Sequence, residues 1–316
     1  MRLGATLACV LVLGCRAAPI AVTARYPAGT SFVPHYVRVN GTTIRYIDAG
    51  RGSPVVFIHG LGASIYAWRK TLGPVLAAGF RVIAFDNRGF GFSDKPARGY
   101  SNAEYASLTV AFMDSLGLAD AVLVGHSMGG AIAGEVAIAY PRRVRGLVLI
   151  DAAGRGIRSP LLLRIATWPW VEPVLSGLRG RWITGRILRS TYADAGKVRE
   201  EDIDQYYAPV AEPDFGRALR GALREFRFDA LGGRLVVVQA PALVLWGDQD
   251  RWIPPRLGMA LASELPHVAF VLVRHAGHAA PEEEAEFLNH VLIAFLKEGV
   301  PKAPANLALA TLPSKH

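Results

Sequence analysis

The spacing of apolar and polar positions divides the chain into three regimes. Residues 36–39 and 43–48 alternate with the period of half-buried strands, and Asn40-Gly41 between them is a hairpin signal. From residue 54 the alternation gives way to short, nearly unbroken apolar runs at 55–58, 81–85, 121–124 and 144–150. Helix-compatible stretches separate them at 64–78 and 102–116, with a third, rich in small residues, at 131–140. Runs that are apolar on both faces, separated by helices, predict a parallel sheet covered on both sides. In such a sheet the functional groups gather at the carboxyl ends of the strands. Residues 153–235 break the pattern: they hold no strand-like run and are rich in helix-compatible Leu, Arg and Trp, so they read as a mostly helical insertion capping the strand ends. A strand at 242–246, a helix at 255–264, a strand at 268–273 and a helix at 281–297 then restore the alternation. The expected class is α/β, a mostly parallel central sheet with helices on both faces. Its core comprises 36–152 and 236–298, the cap 153–235, and 299–316 form a loose tail.

The first residues follow another logic. Met1-Arg2 is a minimal positive start, and residues 3–14 are an apolar run too short to span a bilayer, which takes about 20 residues. The run fits the centre of a signal peptide, residues 1–14, and ends in Val12-Leu13-Gly14-Cys15, which resembles the lipobox of bacterial lipoproteins. That resemblance implies a lipid on Cys15, a tether over 15–35 and an exported protein anchored to a membrane. The tether could reach ~60–70 Å when extended. The alternative is cleavage near Ala17-Ala18 or within 21–24, releasing a soluble exported protein.

Composition narrows the rest. A chain of 316 residues, 51% hydrophobic, can bury a large core. Its net charge of +9 is spread along the chain without a basic run, so it suits an anionic surface better than a nucleic acid. The two cysteines, Cys9 and Cys15, both precede the body, which therefore has neither a disulfide nor a cysteine metal site. No metal or nucleotide motif is present, no cofactor is expected, and nothing in the pattern specifies an oligomeric state.

The chemistry centres on Gly125-His126-Ser127-Met128-Gly129-Gly130, a G-x-S-x-G between an apolar run and a small-residue helical pattern. The glycines leave room for a tight, strained turn that displays Ser127, and the helix behind it favours negative charge at the same place. A serine hydroxyl needs a base, and the base an orienting acid. Asp248 and Asp250 follow the strand at 242–246, His275 and His278 follow that at 268–273, and Asp151 closes the strand at 144–150.

With the order Ser, Asp, His, and with His59-Gly60 and Asp86 to Ser93 as further motifs, residues 36–298 resemble the α/β-hydrolase superfamily in its cap-bearing branch. The resemblance implies Ser127 as nucleophile, His278 as base and Asp250 as acid. Asp248, Asp151 and His275 remain as rivals. It also places the oxyanion hole at the backbone N–H groups of Leu61 and Met128. His59, His126, Asp86 and Arg88 read as residues that brace loops by hydrogen bonds rather than as reactive groups. A serine at the elbow departs from dehalogenases and epoxide hydrolases of this fold, which use aspartate. Hydrolysis of small to medium, largely apolar carboxylic esters through an acyl-serine is the expected activity. A C–C bond hydrolase, a lactonase and a perhydrolase are alternatives, although Leu61-Gly62-Ala63-Ser64 departs from the Gly-Pro-Gly usual after His-Gly in C–C hydrolases. From another class, a non-catalytic binding or scaffold lipoprotein would keep the fold without turnover. Trp168, Trp170 and Trp182, interleaved with arginines, read either as the walls of an apolar pocket under a basic face or as an ordinary amphipathic lid.

Overall fold

The computed structural model describes residues 32–156 and 180–299. The signal peptide, Cys15, Trp168, Trp170 and all but the first residue of the tail lie outside the described residues. β1 (His35–Val39) and β2 (Thr42–Ala49) form the expected hairpin. Asn40 and Gly41 at its tip take φ of 47° and 77°, the left-handed conformation that these residue types tolerate. β2 lies antiparallel to β4 (Arg81–Phe85). From β4 onward the sheet is parallel through β3 (Pro54–Ile58), β5 (Ala121–His126), β6 (Val144–Ile150), β7 (Ala242–Gly247) and β8 (Val268–Val273). The order in the eight-stranded sheet is β1-β2-β4-β3-β5-β6-β7-β8.

The continuous apolar runs follow from burial on both faces. On β3, Val56 and Ile58 enter the core under α2 (Asn102–Ser115) and α3 (Met128–Ala139), whereas Val55 and Phe57 enter the opposite core. That second core is closed by α1 (Leu72–Ala77) and α9 (Ala285–Glu298). β7 divides the same way, Val244 and Trp246 against Leu243 and Leu245. α2 begins at a capping box in which Ser101 Oγ accepts the Glu104 N–H and the Glu104 carboxylate accepts the Ser101 N–H.

Between β6 and β7 the described residues form α4 (Arg181–Thr191), α5 (Glu200–Val210) and α6 (Phe215–Glu225), with no strand among them. Phe215, Ala218 and Ala222 of α6 join the core beneath α2 and α3. Leu188 and Ile203 of α4 and α5 join a smaller cluster with Tyr192 and Ala279. α7 (Pro255–Ala262) links β7 to β8.

Two helices differ from expectation. The stretch at 64–78 is a 3-10 turn, Ile65–Trp68, followed separately by α1. Pro74 has no N–H for the Lys70 carbonyl, so a continuous helix would lose that bond. Asn289 Nδ2 occupies the Lys70 carbonyl instead, at 2.8 Å. The last helix is likewise divided into α8 (Ala280–Glu283) and α9, because Glu284 leaves helical geometry at φ −123° and ψ 49°.

Candidate active site

Ser127 stands between the end of β5 and the first residue of α3, at φ 54° and ψ −119°. A non-glycine residue there is strained by about 1–3 kcal/mol and persists only if its surroundings hold it. They do so through main-chain bonds. The Ser127 N–H donates to the Ile150 carbonyl at 3.0 Å, and the Ser127 carbonyl accepts from Gly130 and Ala153 at 3.0 and 2.9 Å. A Cβ at Gly129 would lie 2.0 Å from the Ile58 carbonyl oxygen, and one at Gly125 would lie 2.3 Å from that of Gly129. Only glycine at both positions lets β5, the elbow and the start of α3 approach β3 this closely.

His278 follows β8 and is buried. Its Nε2 lies 2.9 Å from Ser127 Oγ and its Nδ1 lies 2.8 Å from Asp250 Oδ2. Asp250 has no freedom to turn away, since its Oδ1 accepts the N–H groups of Trp252 and Ile253 at 2.7 and 2.9 Å. A carboxylate on Nδ1 fixes that nitrogen as the donor and leaves Nε2 to accept the serine proton. The indole of Trp252 stacks on the imidazole at 5.8 Å with 10° between the planes.

The rivals lie elsewhere. His275 is exposed on its turn at φ 62°. Asp151 is fully buried at φ 44°, and its Oδ1 accepts the Gly247 N–H at 2.7 Å. Burial, reinforced by the nearby negative charge of Asp250, pushes the Asp151 carboxyl well above its ordinary range. Asp248 is half-buried and its N–H pairs with the Val273 carbonyl.

His59 and His126 support loops. His59 Nε2 accepts the Asn87 N–H at 2.9 Å, which leaves Nδ1–H to donate to the Gly60 carbonyl at 2.8 Å. His126 Nε2–H donates to the His278 carbonyl at 2.7 Å. Burial lowers the pKa of both, and the neighbouring His278 helps push His126 down to about 3. Asp86 gathers three segments, accepting from the Arg45 guanidinium at 3.1 Å and from the N–H groups of Ile65 and Phe92 at 2.7 and 2.9 Å. Arg88 holds the Gly99 carbonyl at 3.0 Å.

The His59-Gly60 turn is pressed against the elbow, since a Cβ at Gly60 would lie 3.0 Å from Ser127 Cβ. Leu61 and Met128 flank that contact, and among the described residues neither N–H is taken by another protein group. Phe215 of α6 lies over Gly62, so the helical insertion covers this turn. Among the described residues, no group of three His, Cys, Asp or Glu side chains is arranged for a metal ion. Two residues around His278 had not been expected from the sequence, Trp252 and the buried Glu283. The run Glu282-Glu283-Glu284 just after His278 was the one visible signal, because adjacent carboxylates close to a buried loop need partners.

Comparison with known proteins gives a consistent result. A family profile described as the alpha/beta hydrolase fold matches residues 53–181. The chain is 31% identical over 270 residues to a 2-hydroxy-6-oxononadienedioate/2-hydroxy-6-oxononatrienedioate hydrolase of Pseudomonas putida, covering 80% of this chain and 91% of that one. It is 30% identical over 258 residues to an uncharacterised hydrolase, YugF, of Bacillus subtilis, covering 80% and 92%. Among solved structures, a membrane phospholipase A described as a bacterial virulence factor superposes with a TM-score of 0.72 at 28% identity, covering 84% and 86%.

Proposed function

Because the chain belongs to the alpha/beta hydrolase family, we propose that it is a serine hydrolase that cleaves carboxylic esters of small to medium, largely apolar substrates. The observation that carries this reading is the bridge made by His278, which bonds Ser127 Oγ on one ring nitrogen and Asp250 on the other. In the proposed cycle His278 Nε2 takes the Ser127 proton as Oγ adds to the carbonyl carbon. The negative charge that develops on the carbonyl oxygen is met by the N–H groups of Leu61 and Met128, the latter at the N-terminus of α3. Collapse expels the alcohol, to which His278 returns the proton, and leaves Ser127 acylated. A water deprotonated by His278 then adds to the acyl carbon, and the acid leaves as His278 returns that proton to Ser127 Oγ. Asp250 keeps its proton partner on Nδ1 throughout and stabilises the imidazolium.

Relatives named for hydrolysis of 2-hydroxy-6-oxo-dienoates support a second reading, C–C bond cleavage on the same machinery. Two features favour esters. The turn Leu61-Gly62-Ala63-Ser64 lacks the Gly-Pro-Gly expected of C–C hydrolases, and one structural neighbour is a phospholipase. A panel of p-nitrophenyl esters of increasing acyl length, assayed beside a 2-hydroxy-6-oxo-dienoate, separates the readings. Ester turnover with an acyl-enzyme burst and little dienoate cleavage is expected. Dienoate cleavage exceeding ester turnover selects the second reading, and inertness toward both returns the chain to a binding role.

We also propose that Cys15 carries a lipid holding the enzyme at a bacterial membrane, with the residues before 36 as tether. Its support is the Val12-Leu13-Gly14-Cys15 pattern. Incorporation of a labelled fatty acid that disappears in Cys15→Ser is expected, and an unlabelled wild-type protein contradicts the anchor.

A further inference from the structure

Glu283 lies five positions after His278 and is only 7% exposed. Its Oε2 accepts the N–H groups of Gly277 at 2.7 Å and Ala193 at 2.9 Å, and its Oε1 accepts the Asp194 N–H at 2.7 Å. One carboxylate thus joins the residue immediately before His278 to the chain leaving α4. On the other side of His278, the Ala279 N–H donates to the Thr191 carbonyl at 3.0 Å. The two segments are also in close contact, since a Cβ at Gly277 would stand 2.5 Å from the Thr191 oxygen and 2.6 Å from the Ala193 nitrogen. A third link runs through the imidazole face. Trp252, stacked on His278, donates its Nε1–H to the Ser190 carbonyl at 3.1 Å.

Residues 190–194 of the helical insertion therefore hold the main chain of His278 on both sides and its ring through Trp252. The neighbouring Glu282 fastens the same region by side chains, taking the Tyr192 hydroxyl at 3.0 Å, the Tyr206 hydroxyl and the Arg69 guanidinium. The division of labour between the two glutamates is informative. Glu282 ties helix to core, whereas every partner of Glu283 is a peptide N–H, and one of them belongs to the turn that aims the imidazole.

We propose that Glu283 is a positioning residue for His278, clamping the turn that carries the imidazole to residues 193 and 194 so that the distance from Nε2 to Ser127 Oγ depends on the seating of the helical insertion. This rests on the serine-hydrolase reading above. The chemistry requires a carboxylate. Three converging N–H donors need an acceptor at each oxygen, and a carboxamide would turn an NH2 toward at least one of them. A shift of about 1 Å at a catalytic group is enough to lower a rate on the order of 10²-fold.

The test compares full-length wild type with Glu283→Gln, Glu283→Ala and, as an adjacent charge control, Glu284→Gln, whose carboxylate pairs with Lys197 at the surface. The second-order rate of fluorophosphonate addition to Ser127 is measured by intact mass per folded molecule, below each variant's Tm. The downfield imidazole Nδ1 proton resonance is recorded alongside. Wild type and Glu284→Gln should react alike. Glu283→Gln should react roughly tenfold more slowly and Glu283→Ala roughly a hundredfold, with the downfield resonance weakened or shifted. If Glu283→Ala does not fold, the Gln variant decides. Variants that lose stability yet react at the wild-type rate per folded molecule, with the resonance unchanged, confine Glu283 to a structural role and overturn the proposal. A wild-type protein that is not labelled at Ser127 removes the serine-hydrolase reading instead.

Discussion

Asp248 and Asp250 occupy one short turn after β7, and a third carboxylate, Asp151, lies buried beneath it. Under the proposed function hydrogen bonds favour Asp250, which alone of the three pairs with His278 Nδ1 while two N–H groups fix its other oxygen. Asp250→Asn should therefore keep the fold and lower kcat/KM by roughly 10⁴-fold, by offering the imidazole the wrong tautomer. Asp248→Asn should stay within a few-fold of wild type. Steady-state kinetics on any accepted ester, with Tm as the control for folding, checks both. The spacing along the chain left these acids as rivals because all three follow strand ends at the same edge of the sheet. What separates them is the direction of each carboxylate, which depends on the Trp252 and Ile253 amides and is invisible to spacing. Ser127 was legible for the opposite reason: its strain is local, and the glycines that permit it sit beside it in the sequence.

At the level of elements, α5 is seated on the core by buried ions. The Arg69 guanidinium lies between Glu282 and Asp202, at 2.8 Å from Asp202 Oδ1, and all three side chains are at most 4% exposed. Tyr66 donates to the same Asp202 oxygen at 2.9 Å, and Arg69 stacks over the Tyr66 ring at 4.3 Å. Removing the cation leaves buried Glu282 without an ion-pair partner and leaves Asp202 only its pairing with Arg199. Arg69→Met is therefore expected to destabilise the protein by about 3–5 kcal/mol, read by urea unfolding. The helical nature of the insertion could be inferred from composition. Its docking could not, because the ions that fasten it come from residues 69, 202 and 282, far apart in the chain and individually ordinary surface types. The break at Glu284 was hidden for a related reason. Glu282 and Glu283 look like an exposed acidic helix start, and partners distant in the chain, Arg69 and Tyr206 for Glu282 and the Ala193 and Asp194 amides for Glu283, account for their burial.

For the molecule as a whole, buried groups that include His126, His59 and Asp151 shape stability against pH. His126, lowered to about 3, and His59, also lowered, stay neutral in the fold, whereas in the unfolded chain they take up protons below about 6.5. Stability therefore falls as pH drops from about 6.5 toward 3, by up to about 1.4 kcal/mol per pH unit for each group in transit. Asp151 acts in the opposite sense. The fold keeps its proton above 3.8, where the unfolded chain loses it, so its contribution declines as pH rises toward the raised native value. The two senses oppose one another, and Asp151→Asn, which has no ionisable carboxyl, should remove from a plot of Tm against pH the decline that sets in as pH rises above 3.8. The sheet order, the elbow at its centre and the insertion over its carboxyl edge all converge on one serine. Treating the full-length protein with a fluorophosphonate and mapping the adduct by mass spectrometry tests that convergence most directly. One adduct per chain on Ser127, absent in Ser127→Ala and strongly slowed in His278→Ala, is predicted; no adduct, or an adduct that survives Ser127→Ala, would contradict it.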